Sequence, residues 1–243
     1  MNVAAGQFRP NLGRRRFMAG LAHVLCAIVS LFGIVVLAIL LGQVWREGAG
    51  LLSWRFLTEM PSPLDPLAGG IKAALLGTIW LIALTALFAI PIGIAAAVYL
   101  EEYAVHNAVT RFIQLNIANL AGVPSVVYGI LGLAVFVRWL QCGPSVVAGA
   151  LTLSLLVLPV IIIASQEALA AVPKSTRLAA YALGATQWQT IRHHVLPAAI
   201  PGIMTGLILA MPRAIGEAAP LMLVGAVAYM PNVPQSLFEQ FQG

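Results

Sequence analysis

Two charged residues, Arg213 and Glu217, lie well inside an apolar run at about residues 198–228 of this sequence. An arginine near the middle of a membrane span costs about 2.5–3.5 kcal/mol to insert, so it must face a partner or a water-filled pathway. The two residues are four apart, which places them on one helix face where they can pair. A guanidinium offers a planar, permanently charged set of donors that suits phosphate oxygens. The pair therefore predicts either a pathway site for an anion or an internal ion pair that only fixes helix packing.

The composition places these residues in a membrane. The chain has 243 residues, of which 60% are hydrophobic and 9% charged, and its mean hydropathy is +0.94. Soluble domains carry about 25% charged residues, and a soluble protein with an oversized core would need more polar surface. We therefore expect an all-α polytopic membrane protein. The net charge of +5 is expected at membrane edges rather than in a nucleic-acid patch. Cys26 and Cys142 lack metal-ligand spacing and are expected to be unpaired.

Apolar runs reach the roughly 20 residues that a membrane-spanning helix needs. The first follows Arg14, Arg15 and Arg16, so a signal peptide is the alternative, but its length and the lack of a clear cleavage site favour a retained span. Pro91 and Gly93 within the second run predict a kink there. The five predicted spans are residues 18–44, 73–100, 112–137, 145–165 and 198–228.

The distribution of basic residues orients the spans. With the N-terminus in the cytoplasm, eight basic residues fall inside and four outside, as the positive-inside rule requires. The tail 1–17 and the segment 166–200 are then cytoplasmic, whereas the loop 45–72 and the tail 231–243 are extracytoplasmic. The inside set is Arg9, Arg14, Arg15, Arg16, Arg111, Lys174, Arg177 and Arg192; the outside set is Arg46, Arg55, Lys72 and Arg138.

The segment 166–200 is polar and basic between two apolar runs. Its sequence predicts a short helix with Ser175 as N-cap, ending at Gly184 in the left-handed conformation. Thr186 and Gln189 have the spacing of a capping box, which starts a second short helix expected to end before Pro197. Such a pair is either an amphipathic surface lying on anionic lipid or a docking surface for a cytoplasmic partner.

This segment resembles the EAA loop of ABC-importer permeases. The residues that carry the resemblance are Ala179, Ala180, Gly184, Leu196 and Pro197. In that family the loop is a coupling helix that fits a cleft on the ATP-hydrolysing subunit. The resemblance implies an ATPase-docking loop that contains Ala179, Ala180, Gly184, Trp188, Leu196 and Pro197.

A second motif is similar to the PstA-type phosphate permeases. The residues from Arg213 to Pro220 read Arg-Ala-Ile-Gly-Glu-Ala-Ala-Pro, where that family has Arg-Ala-Ile-Gly-Glu-Thr-Ala-Pro. The motifs around Gly69–Thr78, Tyr99–Ala104 and Gly122–Gly129 also match its second and third spans. The resemblance implies a type I ABC-importer transmembrane subunit with a permease core at 73–230. Five spans are predicted here, and a counterpart of the family's sixth span is not expected among these residues.

The resemblance also implies partners. These are a second permease subunit, a dimer of ATP-binding subunits, a periplasmic phosphate-binding protein and membrane lipid, with no nucleic acid. The chain has no Walker sequence, so it is not expected to be an enzyme by itself. It is expected to bind no metal or other cofactor, and ATP and Mg²⁺ would be used by the partner ATPase. The expected location is the bacterial cytoplasmic (inner) membrane.

Alternatives remain open at this point. The solute could be another oxyanion or small molecule carried by an ABC importer, or the chain could be an ATP-independent secondary transporter that uses Arg213 and Glu217. The sequence also departs from the family pattern: Leu178 replaces the acidic residue of the EAA motif, His194 replaces an aliphatic residue, and Pro212 precedes Arg213.

Three local features complete the expectations. Pro212 and Pro220 lack backbone donors, which predicts a non-uniform helix around Arg213. Gly202 and Gly206 permit close helix packing. The sequence Glu101-Glu102 is interpreted as a solvated helix edge.

Overall fold

The computed structural model describes residues 12–62, 69–105 and 107–225. Within these ranges the chain forms helices joined by turns, with no strand, which confirms the all-α prediction. The predicted C-terminal tail, residues 231–243, lies outside the described residues, as do residues 1–11 of the N-terminal tail. The chain divides into two compact units, residues 1–54 and 55–243.

The first unit is built on one long helix, α1, Leu12–Gly48, followed by a 3₁₀ turn at Ala49–Leu51. At 37 residues this helix is about 55 Å long, which exceeds the roughly 30 Å hydrocarbon core of a bilayer. The helix extends beyond the predicted span 18–44 at both ends. None of its most apolar stretch is buried within the chain, so lipid or another chain must cover it.

The second unit contains the remaining helices, several of which pass directly into π-helical turns. A π-turn adds one residue per turn and is common at functional sites. The helices are α2, Trp54–Thr58; α3, Lys72–Val98; α4, Ala108–Leu120; α5, Ser125–Gly132; α6, Val146–Ala170; α7, Lys174–Ala182; α8, Gln187–Thr190; α9, Leu196–Ile215; and α10, Ala219–Val224. The π-helical turns are Tyr99–Tyr103, Leu133–Trp139 and Ile191–Val195.

Helix α6 is the centre of the second unit. In its most apolar stretch 67% of the residues are buried, against 33% in the span that begins with α3 and 28% in the span that ends with α9. Polar residues on the α3–α6 contact are satisfied, because the Ser154 hydroxyl donates to the carbonyl of Ala150 at 2.7 Å and the Thr85 hydroxyl to that of Leu81 at 2.8 Å. Neither Pro91 nor Pro159 interrupts its helix.

The contact between α6 and α9 depends on small residues. A Cβ atom placed on Gly202 would lie 2.8 Å from the Cβ of Ala168, and one on Gly206 would lie 2.5 Å from the Cβ of Ala164. The two backbones therefore approach more closely than any larger residue permits. This confirms the packing role predicted for both glycines.

The third predicted span, residues 112–137, is not one straight helix. Helices α4 and α5 meet at a bend of 102°, so the pair forms either a broken span or a re-entrant loop. Pro124 disfavours helical geometry at Val123 and removes a backbone donor, which ends α4 before it. The Tyr128 hydroxyl donates to the carbonyl of Leu120 at 2.8 Å and satisfies an acceptor at the end of α4. The described residues thus hold four helices long enough to cross a membrane, or five spans with this pair.

Candidate functional site

Arg213 and Glu217 lie where the last long helix breaks. Arg213 is in the final turn of α9, which ends at Ile215, and Glu217 is in the short connection to α10. The Arg213 Nε and Glu217 Oε1 atoms are 3.8 Å apart, and the side chains are 44% and 23% exposed. The predicted pairing is present, but this distance is too long for a hydrogen bond. Among the described residues, no acceptor is hydrogen-bonded to the guanidinium, so its donors remain available.

The break itself follows from the sequence around it. The Gly216 amide donates to the Pro212 carbonyl at 3.0 Å, and the Glu217 amide makes a longer bond of 3.4 Å to Ala214. Pro220 then sits in the first turn of α10, where a missing donor costs no helical hydrogen bond. The prediction of a non-uniform helix is confirmed, although α9 passes through Pro212 and breaks only after Ile215.

Helix α10 is fixed by the bent pair. A Cβ atom on Gly129 of α5 would come within 2.8 Å of both the Pro220 Cα and the Leu223 Cδ1 atoms, so the backbones of α5 and α10 are in close contact. At its other end, α10 stops at Gly225, whose φ of +112° favours glycine. The connection that carries Glu217 is therefore held between α9 on one side and an α10 packed on α5 on the other.

The segment 166–200 contains the two short helices that the sequence predicted. Gly184 has φ +83°, so the left-handed conformation is confirmed. The capping box is confirmed as well: the Gln189 amide donates to the Thr186 hydroxyl oxygen at 3.3 Å, and the Thr186 amide donates to the Gln189 side-chain oxygen at 2.9 Å. Four residues, Leu183 to Thr186, thus separate α7 from α8.

Two details of this segment were predicted wrongly. Pro173, not Ser175, occupies the N-cap position of α7, and its carbonyl accepts from the Thr176 amide at 3.1 Å. The second helix also does not end before Pro197. It continues through the π-turn Ile191–Val195, where the Leu196 amide donates to the Ile191 carbonyl five residues back, and so enters α9 without a break. The widened turn accommodates Pro197 at the start of α9.

The residues proposed for docking divide by exposure. Ala179, Gly184, Trp188 and Pro197 are exposed, whereas Ala180 is buried and Leu196 is half-buried. The last two therefore position the segment rather than face a partner. Large apolar side chains extend the exposed set, since Leu178 is 67% and Leu183 is 89% exposed. We define the coupling surface as the exposed residues Leu178, Ala179, Leu183, Gly184 and Trp188.

A second arginine–glutamate pair was missed by the sequence analysis. Glu102, interpreted as a solvated edge, has a side chain only 7% exposed, and its Oε1 lies 2.5 Å from the Nη2 of Arg177. The Arg177 Nε donates to both carboxylate oxygens, at 3.1 and 3.2 Å. These hydrogen bonds raise the pKa of the Arg177 guanidinium further above its ordinary value. The only signal in the sequence was an acidic residue at the end of one apolar run and a basic residue 75 positions later.

The long apolar helices define a multi-pass helical membrane protein, and the charged pair lies at a broken helix, a feature common at the sites of transporters. A model of the binding-protein-dependent transport system inner membrane component family matches residues 89–238. The chain belongs to this family of ABC-transporter permeases.

Relatives agree with the family assignment. The chain is 36% identical over 204 residues to the probable ABC transporter permease protein YqgI of Bacillus subtilis, which covers 82% of this chain and 69% of the relative. It is 39% identical over 222 residues to the probable permease YqgH of the same organism, covering 86% and 71%. It is also 36% identical over 223 residues to the phosphate transport system permease protein PstA 1 of Mycobacterium tuberculosis H37Rv, covering 90% and 72%.

Proposed function

We propose that the chain is the transmembrane permease subunit of an ATP-driven importer of inorganic phosphate. The observation that carries the proposal is the open guanidinium of Arg213 at the break between α9 and α10, loosely paired with Glu217 at 3.8 Å. Relatives that are named phosphate transport permeases share most of the chain, which supports phosphate as the solute. A second permease subunit would complete the pathway around this site.

The geometry of the pair suits transient anion binding. A guanidinium can donate to two phosphate oxygens at once, which orients the anion as well as attracting it. Glu217 lies close enough to hold the arginine in place and to reduce its attraction for a second negative charge, so the anion can leave. Because both side chains are partly exposed, the phosphate can reach the donors without first breaking a buried ion pair.

The coupling surface would dock the ATP-binding subunits. ATP and Mg²⁺ would be used by that ATPase dimer, which on binding ATP would pull on the segment between Leu178 and Leu196 and switch the spans between outward and inward access. Leu178 is exposed at the position of the family's acidic residue. The partner surface opposite it is therefore expected to be apolar rather than basic.

The proposed orientation follows from the same docking. The coupling surface and the N-terminus would be cytoplasmic, and a periplasmic phosphate-binding protein would deliver the anion at the opposite face. The segment 166–200, here called the coupling segment, and family membership favour this mechanism over an ATP-independent secondary transporter, which has no need for a docking loop. Among ABC importers, competition between anions decides between phosphate and another oxyanion.

The test is phosphate uptake in cells that lack their own high-affinity system and express this chain with its partner subunits. Arg213→Ala should lower uptake on the order of a hundredfold, because charge-assisted hydrogen bonds to the anion are lost. Arg138→Ala, which removes an exposed arginine from the π-turn Leu133–Trp139, is the matched control and should transport normally. Normal uptake by Arg213→Ala in a fully assembled complex would reject the site, and equal competition by sulfate would reject phosphate as the specific solute.

A further inference from the structure

Both short helices of the coupling segment are hydrogen-bonded to the same residue, Glu102, in the π-turn Tyr99–Tyr103 that follows α3. The Arg177 guanidinium of α7 donates hydrogen bonds to the Glu102 carboxylate, and the Gln187 side-chain amide of α8 donates to the Glu102 backbone carbonyl at 2.6 Å. The two donors lie on opposite sides of Gly184 in the sequence. Glu102 is therefore the shared anchor for the helices on both sides of the turn.

The π-turn explains why Glu102 can accept both bonds. Its carbonyl is in the last turn of the helix that ends at Tyr103, so it has no intrahelical donor. The turn closes with the Ala104 amide donating to the Tyr99 carbonyl five residues back, at 2.8 Å. This geometry leaves the side chain and the carbonyl of one residue both directed toward the coupling segment.

Arg177 also joins the end of α6 to this anchor. Its Nη1 donates to the Val172 carbonyl at 2.8 Å, and its Nη2 donates to the Leu169 carbonyl at 3.0 Å. The same guanidinium thus connects the C-terminal end of α6, the helix α7 and the π-turn that follows α3. The Glu102 side chain is 7% exposed and that of Arg177 is 17% exposed, so water competes poorly for these bonds.

We propose that Glu102 is a positioning residue that makes the coupling segment and α3 move as one rigid unit. Motion imposed on the coupling surface then reaches α3 directly, and not only α6 and α9 through the chain connections at either end of the segment. The assignment of the driving partner as an ATPase rests on the proposed function, but the rigid connection between the two elements does not.

A distance measurement tests the rigid connection without any transported solute. Spin labels are attached to Leu87→Cys on α3 and Ser175→Cys on α7, both exposed positions, in a chain whose Cys26 and Cys142 are replaced by serine. The full complex is reconstituted in lipid nanodiscs with and without ATP. We expect a narrow distance distribution that ATP does not shift, and a broadened one in Glu102→Gln. A distribution equally narrow in Glu102→Gln, or a wild-type distance that changes with ATP, overturns the proposal.

A transport measurement tests the consequence for coupling. Glu102→Gln should lower the phosphate carried per ATP hydrolysed on the order of tenfold, because charge-assisted bonds are lost, while the ATPase still co-purifies with the chain. Glu101→Gln is the matched control, because the Glu101 carboxylate acts on Arg177 only through its charge and makes no hydrogen bond to it within the described residues; this variant should behave nearly as wild type. Wild-type coupling in Glu102→Gln contradicts the proposal.

A milder variant covers the case in which the buried substitution prevents folding. Gln187→Ala removes only the exposed bond to the Glu102 carbonyl, and it should lower the phosphate carried per ATP on the order of threefold. Unchanged coupling in Gln187→Ala, together with an unbroadened distance distribution, also overturns the proposal. A wild-type complex that carries no phosphate would instead reject the proposed function and leave the distance result standing.

Discussion

The molecule uses the same pair of residue types in two different ways. Arg177 and Glu102 are joined by three hydrogen bonds of 2.5, 3.1 and 3.2 Å, and their side chains are 17% and 7% exposed. Arg213 and Glu217 are 3.8 Å apart, with side chains 44% and 23% exposed. In the first pair the arginine's donors bind the protein, whereas in the second they remain available. The contrast supports the proposal that only the second pair is open to an anion, because its hydrogen bonds are unmade.

The backbone around each pair produces this difference. Arg177 lies where the ends of α6 and α7 and the π-turn after α3 converge, so carbonyl and carboxylate acceptors surround it. Arg213 lies in the last turn of a helix that ends at Ile215 with Gly216 as its C-cap, and the nearby carboxylate is on the connecting turn. The three elements that meet at Arg177 supply acceptors for its guanidinium, whereas the single helix end at Arg213 supplies none within hydrogen-bond distance in the described part of the chain.

The largest difference between the pairs should appear in stability. Arg177→Met leaves the Glu102 carboxylate buried without its partner and should lower the free energy of unfolding by about 3 kcal/mol. Arg213→Met removes a longer and more exposed contact and should lower it by less than about 1 kcal/mol. Equilibrium unfolding of the two purified variants in detergent with increasing sodium dodecyl sulfate measures both values. We call Arg177–Glu102 the closed pair, because its hydrogen bonds are made, and Arg213–Glu217 the open pair. Equal losses of stability in the two variants would contradict this distinction.

The carboxylate of the open pair should control anion affinity. Glu217→Gln removes the negative charge beside the Arg213 guanidinium, so phosphate should half-saturate uptake at a concentration about fivefold lower. The maximal rate should fall at the same time, because release becomes slower. The dependence of uptake on phosphate concentration in proteoliposomes measures both. Glu101→Gln, which changes a carboxylate far along the sequence in the π-turn Tyr99–Tyr103, is the control. An unchanged half-saturating concentration would show that Glu217 does not act on the anion.

The smallest effect is expected from restoring the acidic residue of the family at the coupling surface. Leu178→Glu places a new carboxylate beside Arg177, but that arginine's bonds to Glu102, Val172 and Leu169 are already made. The closed pair should therefore persist, with no change in stability, and binding of the ATPase should weaken only about threefold, since single exposed contacts contribute little. Binding of the purified ATPase to the chain in nanodiscs measures this change, with Leu178→Met as the apolar control. A large loss of stability would mean that the Glu102 pair is not closed.

The features that the sequence predicted correctly are local ones. The Thr186–Gln189 capping box and the Arg213–Glu217 pair each depend on a spacing of three or four residues, which the turn at the start or end of a helix brings together without help from the rest of the fold. The left-handed Gly184 depends on one residue. Local backbone geometry determines these features, so a single sequence contains the information needed to find them.

The features that were missed depend on contacts between residues far apart in the sequence, or on packing that overrides a local preference. Glu102 and Arg177 are 75 residues apart, and no spacing rule brings them together. Pro124 and Pro197 have the same local preference against helix continuation, yet one accompanies a bend of 102° and the other lies in a continuous helix. At Pro197 a π-turn re-pairs the amide just before the proline, and at Pro124 the Tyr128 hydroxyl stabilises the bend. Packing, rather than proline itself, decides between these outcomes.

The close fit of α6 and α9 sets a rule for how the two helices can diverge among relatives. Gly206 faces the Cβ of Ala164, and Gly202 faces that of Ala168, with room for one methyl group at each contact. A gain of a methyl at 206 therefore has to accompany its loss at 164, because neither helix can move away without disturbing its other contacts. The methyl group can lie on either helix, but each contact holds only one. Substitutions at these positions should therefore occur as exchanged glycine–alanine pairs rather than singly.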